Sequence, residues 1–213
     1  ADARLFNASA FLVQTPDLAI RMVLNLVYCS HTKLKNAVKL KGAFIVEVTV
    51  NGEKMQLVGN PPEVGAEIPH FKLFDAQNQR VKTRELLGKP TLFSVVPDIN
   101  TSVCSLQSRK FNKAMAEYPD VRLITVSTNP INEQKGWCAA NDIPNAELLS
   151  DYEQSFGYAM KLLIPDEGVL ARSIFLIDAD GKIVYRQIVP EMTHEPDYLA
   201  ALNAVEKLGA AAE

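Results

Sequence analysis

The sequence predicts an α/β protein in which a central mixed β-sheet is flanked by helices. Two observations predict it. From Thr91 onward, apolar runs of strand length alternate with helical patterns, and the alternation closes on a β-hairpin and one last helix. A third observation marks where the regular part begins: Val46–Val50 and Glu53–Leu57 are strand-like and are separated by Asn51-Gly52, the pair favoured in two-residue hairpin turns.

Gly59-Asn60-Pro61-Pro62 closes that first hairpin, and Phe71–Phe74 reads as a short strand. Thr83–Gly88 reads as a capped helical turn ending in glycine. Thr91–Val96 is an apolar strand, and a helical pattern runs from about Ser102 to Tyr118. Strand Arg122–Ser127 leads to a helix from Pro130 to about Asn141, with proline well suited to the first helical position. Leu148-Leu149 is a short strand and Glu153–Met160 a helix. Ser173–Ile177 and Ile183–Ile188 flank Asp178-Ala179-Asp180-Gly181 as an antiparallel hairpin, and a closing amphipathic helix spans about Pro196 to Leu208. This order is that of an α/β sandwich of the thioredoxin type.

Residues 1–45 read differently, as an extra N-terminal leader ahead of a domain spanning 46–213. Phe11–Tyr28 is apolar-rich, but Gln14, Asp17, Arg21 and Asn25 interrupt it well short of the ~18–20 apolar residues of a membrane helix. The stretch lacks the basic start and small-residue cleavage site of a signal peptide. Lys33, Lys35, Lys39 and Lys41 make the following segment basic. An appended leader is the main reading; a membrane-surface or partner helix and a helix packed on the main domain are the others.

A net charge of -3 gives no general attraction to nucleic acid or to an anionic membrane. Three cysteines, Cys29, Cys104 and Cys138, are too few and odd in number for a secreted disulfide framework, and they fit a reducing, cytoplasmic setting. Three scattered histidines, at 31, 70 and 194, form no zinc-like cluster with them.

Cys104 stands past the strand broken by Pro97 and at the opening of the next helix. In open α/β sheets chemistry gathers at such places, beyond the carboxyl ends of strands. A cysteine attacks as thiolate, and the unpaired N–H groups of a helix N-terminus favour an anion. Thr101, three residues earlier, can reach the cysteine's turn or a ligand oxygen, or simply cap the helix. Position alone leaves two readings equal: a reactive thiol, or a small apolar filler on the helix's inner face. Cys138, 34 residues later on the helix of the next βα unit, carries the same ambiguity. Pairing the two sulfurs needs Cα atoms within about 7 Å, hence local unwinding.

The segment Pro97-Asp98-Ile99-Asn100-Thr101-Ser102-Val103-Cys104 fits the PxxxTxxC signature, and the chain resembles the peroxiredoxins. With Ser108-Arg109-Lys110-Phe111-Asn112 it resembles their thiol peroxidase branch, the atypical two-cysteine members. Gly59-Asn60-Pro61, the cysteine spacing, Ala171-Arg172-Ser173 and Glu195-Pro196-Asp197-Tyr198 extend the resemblance over residues 46–208. The resemblance implies a peroxidatic Cys104 that becomes a sulfenic acid, with Thr101 bonding the peroxide and thiolate. It implies that Pro97 shields the site and that Arg172 holds the thiolate and stabilises the separating oxygens. It implies a resolving Cys138 forming an intrachain disulfide with Cys104, thioredoxin as reductant, a homodimer, and no metal, haem or flavin.

Two other functions are weighed against this one. A dithiol oxidoreductase acting on protein disulfides needs two sulfurs in one turn, and no CxxC is present. A peroxide sensor would share the reactive thiol but pass its oxidation to a partner. Arg109 is read as a helix-surface charge rather than a second cation at the site, Trp137 as packing, His194 as a loop residue, and Cys29 as having no catalytic role.

Overall fold

The computed structural model describes residues 46–141 and 147–210, with 138–141 described by backbone alone. The readings made for residues 1–45, Cys29 among them, lie outside the described residues.

Strands β1 (Glu47–Val50) and β2 (Glu53–Gln56) pair antiparallel, Val50 opposite Glu53. Asn51 and Gly52 both take positive φ, 51° and 83°, which is what the expected two-residue turn requires.

Among the described residues the main sheet has seven strands. They are β3 (Lys72–Phe74), β4 (Arg80–Lys82), β5 (Thr91–Val95), β6 (Arg122–Ser127), β7 (Glu147–Ser150), β10 (Ser173–Ile177) and β11 (Ile183–Ile188), in the order β11-β10-β5-β6-β7-β3-β4. The centre β5-β6-β7 is parallel; β10 and β3 join it antiparallel, so the sheet is mixed, as expected. Helix α1 (Ser102–Met115) connects β5 to β6, and α2 (Ile131–Asn141) connects β6 to β7. Both crossovers step the same way along the sheet, and right-handed connections then place both helices on one face. A short α3 (Ser155–Ala159) follows β7, and α4 (Tyr198–Ala210) closes the chain.

Alternation along β5 divides the core. Leu92 turns to one face, where it packs with Phe111 and Met115 of α1 and Ala201 and Val205 of α4. Phe93 and Val95 turn to the other, among Phe71, Phe156 and Phe175. Phe71 and Phe156 meet edge to face with centroids 4.9 Å apart. Every residue of β5 and β10 is buried, so both strands are covered on both faces.

Three strands were not anticipated. Strand β4 is Arg-Val-Lys, an edge strand with one apolar residue, too short to show a period. Strands β8 (Leu163–Ile164) and β9 (Val169–Leu170) form a separate two-stranded ribbon closed by Gly168 at φ +67°. Helix α1 stops at Met115 rather than Tyr118, because Glu117 and Tyr118 tighten into turns on Ala114 and Met115.

One buried carboxylate belongs to this frame. Asp151 follows β7 and accepts the backbone N–H groups of Phe156 and Gly157, each at 2.8 Å, which holds the start of α3. Burial outweighs those bonds and pushes its pKa up to about 7. A Cβ at Gly157 would lie 2.7 Å from Leu170 Cδ2 and 3.1 Å from Leu163 Cβ, so a side chain there would have to displace both.

Candidate active site

The site forms where β5 ends. The N–H of Val96 extends the sheet by bonding the carbonyl of Val126 at 2.9 Å; half-buried Pro97 then turns the chain into the loop ahead of α1. Asn129 holds that loop from the neighbouring unit. Its Oδ1 accepts the Ile99 N–H at 3.0 Å, and its Nδ2 donates to Asp98 at 2.8 Å and to Glu133 of α2 at 3.1 Å.

Thr101 is the N-cap of α1, with extended φ/ψ of -81° and 150°. Its hydroxyl accepts the N–H of Cys104 at 3.4 Å and donates to the Asp98 carbonyl at 3.1 Å. Cys104 therefore sits in the first turn, where unpaired N–H groups favour an anion. Its side chain is fully buried, in a cluster with Val96, Ile99, Trp137 and Leu148.

A cation meets the sulfur in that cluster. The register of β10 against β5 pairs Ser173 with Val95, which brings Arg172, one residue earlier, to the carboxyl end of β5. Arg172 is 2% exposed. Its Nη2 donates to Cys104 Sγ at 3.3 Å, its Nη1 to Gln107 Oε1 at 2.8 Å, and its Nε to the Met192 carbonyl at 2.8 Å. Among the described residues no carboxylate pairs with it. Its guanidinium reaches two neutral oxygen acceptors and the Cys104 sulfur, and Glu195 feels its charge without an ion-pair contact. The sulfur is thus buried among apolar side chains and is also the partner of a charge, so neither sequence reading of Cys104 describes it alone.

Gln107 was not anticipated. One turn after Cys104, it is fully buried and links Arg172 to Ser94, whose hydroxyl accepts its Nε2 at 2.9 Å. The available signal was a glutamine on the apolar face of α1, three residues after the cysteine, since a buried amide needs partners.

Cys138 lies on α2, and its side chain is outside the described residues. Its neighbour Trp137 is 7% exposed and donates to the Ser105 hydroxyl at 3.0 Å. The residue before one cysteine is therefore bonded to the residue after the other. Arg109 is exposed on α1, and His194 is an exposed loop residue. Thr193, His194 and Glu195 line one side of a cavity of about 380 Å³, with Ser102, Val103 and Leu106 of α1 on the other. Lys110 and the Tyr198 hydroxyl bond Glu195 at 2.7 and 2.6 Å and hold its carboxyl below the usual carboxylate range.

The redoxin family matches residues 63–202. A thiol peroxidase of Listeria innocua is 40% identical over 164 residues, 76% of this chain and 99% of the relative. The chain belongs to the thiol peroxidase family of the peroxiredoxins. The thiol peroxidase of Bacillus subtilis is 37% identical over 77% of this chain and 99% of its own length. A peroxiredoxin-like protein from Aquifex aeolicus superposes with a TM-score of 0.71 at 32% identity, covering 78% of this chain and 99% of the other. By family the chain is a thiol-dependent peroxidase with a thioredoxin-like fold. Among the described residues, no helix is long and apolar enough to cross a membrane.

Proposed function

We propose that the peroxidase cycle runs on Cys104 as peroxidatic and Cys138 as resolving cysteine of the same chain, with Thr101, Arg172 and Pro97 completing the site. The Cys104 thiolate attacks one oxygen of a hydroperoxide. The S–O bond forms as the O–O bond breaks, the other oxygen leaves with a proton as alcohol or water, and the sulfur becomes a sulfenic acid. Arg172 and the first turn of α1 favour the starting anion. The Arg172 guanidinium also lies where charge develops on the parting oxygens, the kind of preorganised donor worth a few kcal/mol. Thr101 offers its hydroxyl to the peroxide, and Pro97 limits water at the sulfur. Cys138 then displaces hydroxide from the sulfenic acid; a proton completes it to water and a Cys104–Cys138 disulfide remains. Thioredoxin reduces that disulfide by thiol exchange.

The observation that carries this reading is the buried Arg172 guanidinium, 3.3 Å from Cys104 Sγ. In the same reading residues 46–213 are the catalytic domain of a cytoplasmic homodimer and residues 1–45 an appended extension. One experiment tests the cycle: a non-reducing peptide map after one equivalent of hydrogen peroxide is added to the reduced chain. A stoichiometric Cys104–Cys138 link within one chain is expected. Over-oxidised Cys104 beside a free Cys138 would remove the two-cysteine mechanism.

A further inference from the structure

The third hydrogen bond of Arg172 ends on a backbone carbonyl, and the segment carrying that carbonyl is unusually well tied. The carbonyl of Arg172 accepts the N–H of Val189 at 2.9 Å, and the chain then passes through Pro190 and Glu191 to Met192, whose carbonyl accepts Arg172 Nε at 2.8 Å. Between these points β1 grips the segment. Thr49 donates its N–H to Pro190 at 2.7 Å and accepts that of Met192 at 2.8 Å. Met192 is thus held at its N–H by β1 and presents its carbonyl to Arg172.

Glu191 fastens this arrangement. Its carboxylate accepts five bonds: the Thr49 hydroxyl at 2.7 Å, the N–H groups of Asn51 and Gly52 at 3.0 and 3.1 Å, and the N–H and hydroxyl of Thr193 at 3.1 and 2.6 Å. The positive φ of Asn51 and Gly52 aims their two N–H groups together, a small anion nest that the carboxylate fills. One charged group thereby joins the N-terminal hairpin to the segment that holds the active-site cation. These bonds hold the Glu191 carboxyl far below the usual carboxylate range.

We propose that Glu191 is a positioning residue for the peroxidatic centre, acting through the Met192 carbonyl on the direction of the Arg172 guanidinium. The proposal rests on the peroxidase reading of Cys104. Because the guanidinium is a rigid fork, the bond at Nε helps to fix the directions in which Nη2 and Nη1 meet Cys104 and Gln107. Loosening Met192 lets the fork rotate away from the sulfur.

The test is stopped-flow oxidation of the full chain by hydrogen peroxide, giving the second-order rate constant for Cys104. Glu191→Ala is expected to lower it about tenfold to a hundredfold, as small misplacements of catalytic groups do. Thr49→Val, which removes one donor and suits a strand, is expected to lower it less. Lys54→Ala breaks the exposed Lys54–Glu47 pair of the same hairpin and is expected to leave the rate unchanged. A double-mutant cycle separates positioning from general loosening: in an Arg172→Met background, Glu191→Ala should cost no further rate. A wild-type rate in Glu191→Ala, or an additive loss in the cycle, overturns the proposal. If Glu191→Ala does not fold, a wild-type rate in Thr49→Val overturns it instead. Peroxide consumption by the unaltered chain is measured alongside, and its absence would remove the peroxidase reading itself.

Discussion

The Trp137 indole nitrogen lies 3.0 Å from the Ser105 hydroxyl, so the residue before Cys138 is hydrogen-bonded to the residue after Cys104. The same indole belongs to the cluster that buries the Cys104 sulfur. Cys104 is fully buried, and Trp137 is part of what covers it.

Trp137 is the sole tryptophan of the chain, so intrinsic fluorescence reports its environment alone. Oxidation by one equivalent of peroxide should change that fluorescence, and reduction should restore it. Trp137→Phe keeps the ring packing and removes a bond worth about 1 kcal/mol. If disulfide formation requires the bond to open, this variant should form the disulfide about fivefold faster and accumulate less sulfinic acid at Cys104 under excess peroxide. Rapid-quench peptide mapping gives both quantities, and an unchanged rate would show that the bond is kept throughout.

Thr101 is the N-cap of α1 and the proposed peroxide ligand, and one pair of substitutions separates the two. As the N-cap of α1 it accepts the Cys104 N–H; as a hydroxyl at that turn it is the proposed peroxide ligand. Thr101→Val removes both and should cost about 1 kcal/mol of stability. Thr101→Ser keeps the hydroxyl and should recover the cap and the rate of Cys104 oxidation together. Denaturant unfolding and stopped-flow oxidation are the measurements. A Ser variant that regains stability without activity would confine Thr101 to the cap.

The order of strands and helices was legible because the central elements are long and periodic, from Thr91–Val95 through Ser102–Met115 to Arg122–Ser127. Ribbons of two or three residues, such as Leu163–Ile164, show no period and were not visible. The candidate site was legible where a motif names it, at Pro97, Thr101 and Cys104. Arg172 needed the family resemblance, because its approach to the sulfur depends on pairing with a strand some eighty residues away. Gln107 and Glu191 were missed for a related reason. Each is an ordinary polar residue locally, and its work is set by partners at Arg172 and Thr49, which only the folded register brings near.

Asp151 should give the protein a pH-dependent stability of definite sign. Its folded pKa is about 7, against 3.8 without burial. The favourable contribution is therefore complete below pH ~4 and is lost as pH rises through about 7, a change of about 4 kcal/mol at most. Asp151→Asn removes the titration and strands one N–H group, a cost of about 1–3 kcal/mol. Urea midpoints under reducing conditions at pH 5 and pH 8 should differ in the wild type and converge in the variant. A wild type that is more stable at pH 8, with that slope abolished in the variant, would mean that the N–H bonds of Phe156 and Gly157 outweigh burial.

Arg172 carries the largest expected effect. Its three bonds run to a sulfur, an amide oxygen and a carbonyl, and they use the guanidinium as a fork. Arg172→Met keeps much of the volume and removes the charge, and the second-order rate of Cys104 with hydrogen peroxide should fall about 10²–10³-fold. Arg172→Lys keeps the charge but not the fork, since an ammonium cannot hold three fixed directions at that reach, so it should recover only part of the loss. Alkylation of Cys104 by iodoacetamide separates the two contributions. It needs the thiolate but no stabilised oxygen, so Lys should restore alkylation more fully than peroxide reduction. Equal recovery of both rates would mean that Arg172 acts as a charge alone and that its geometry toward the parting oxygens is dispensable.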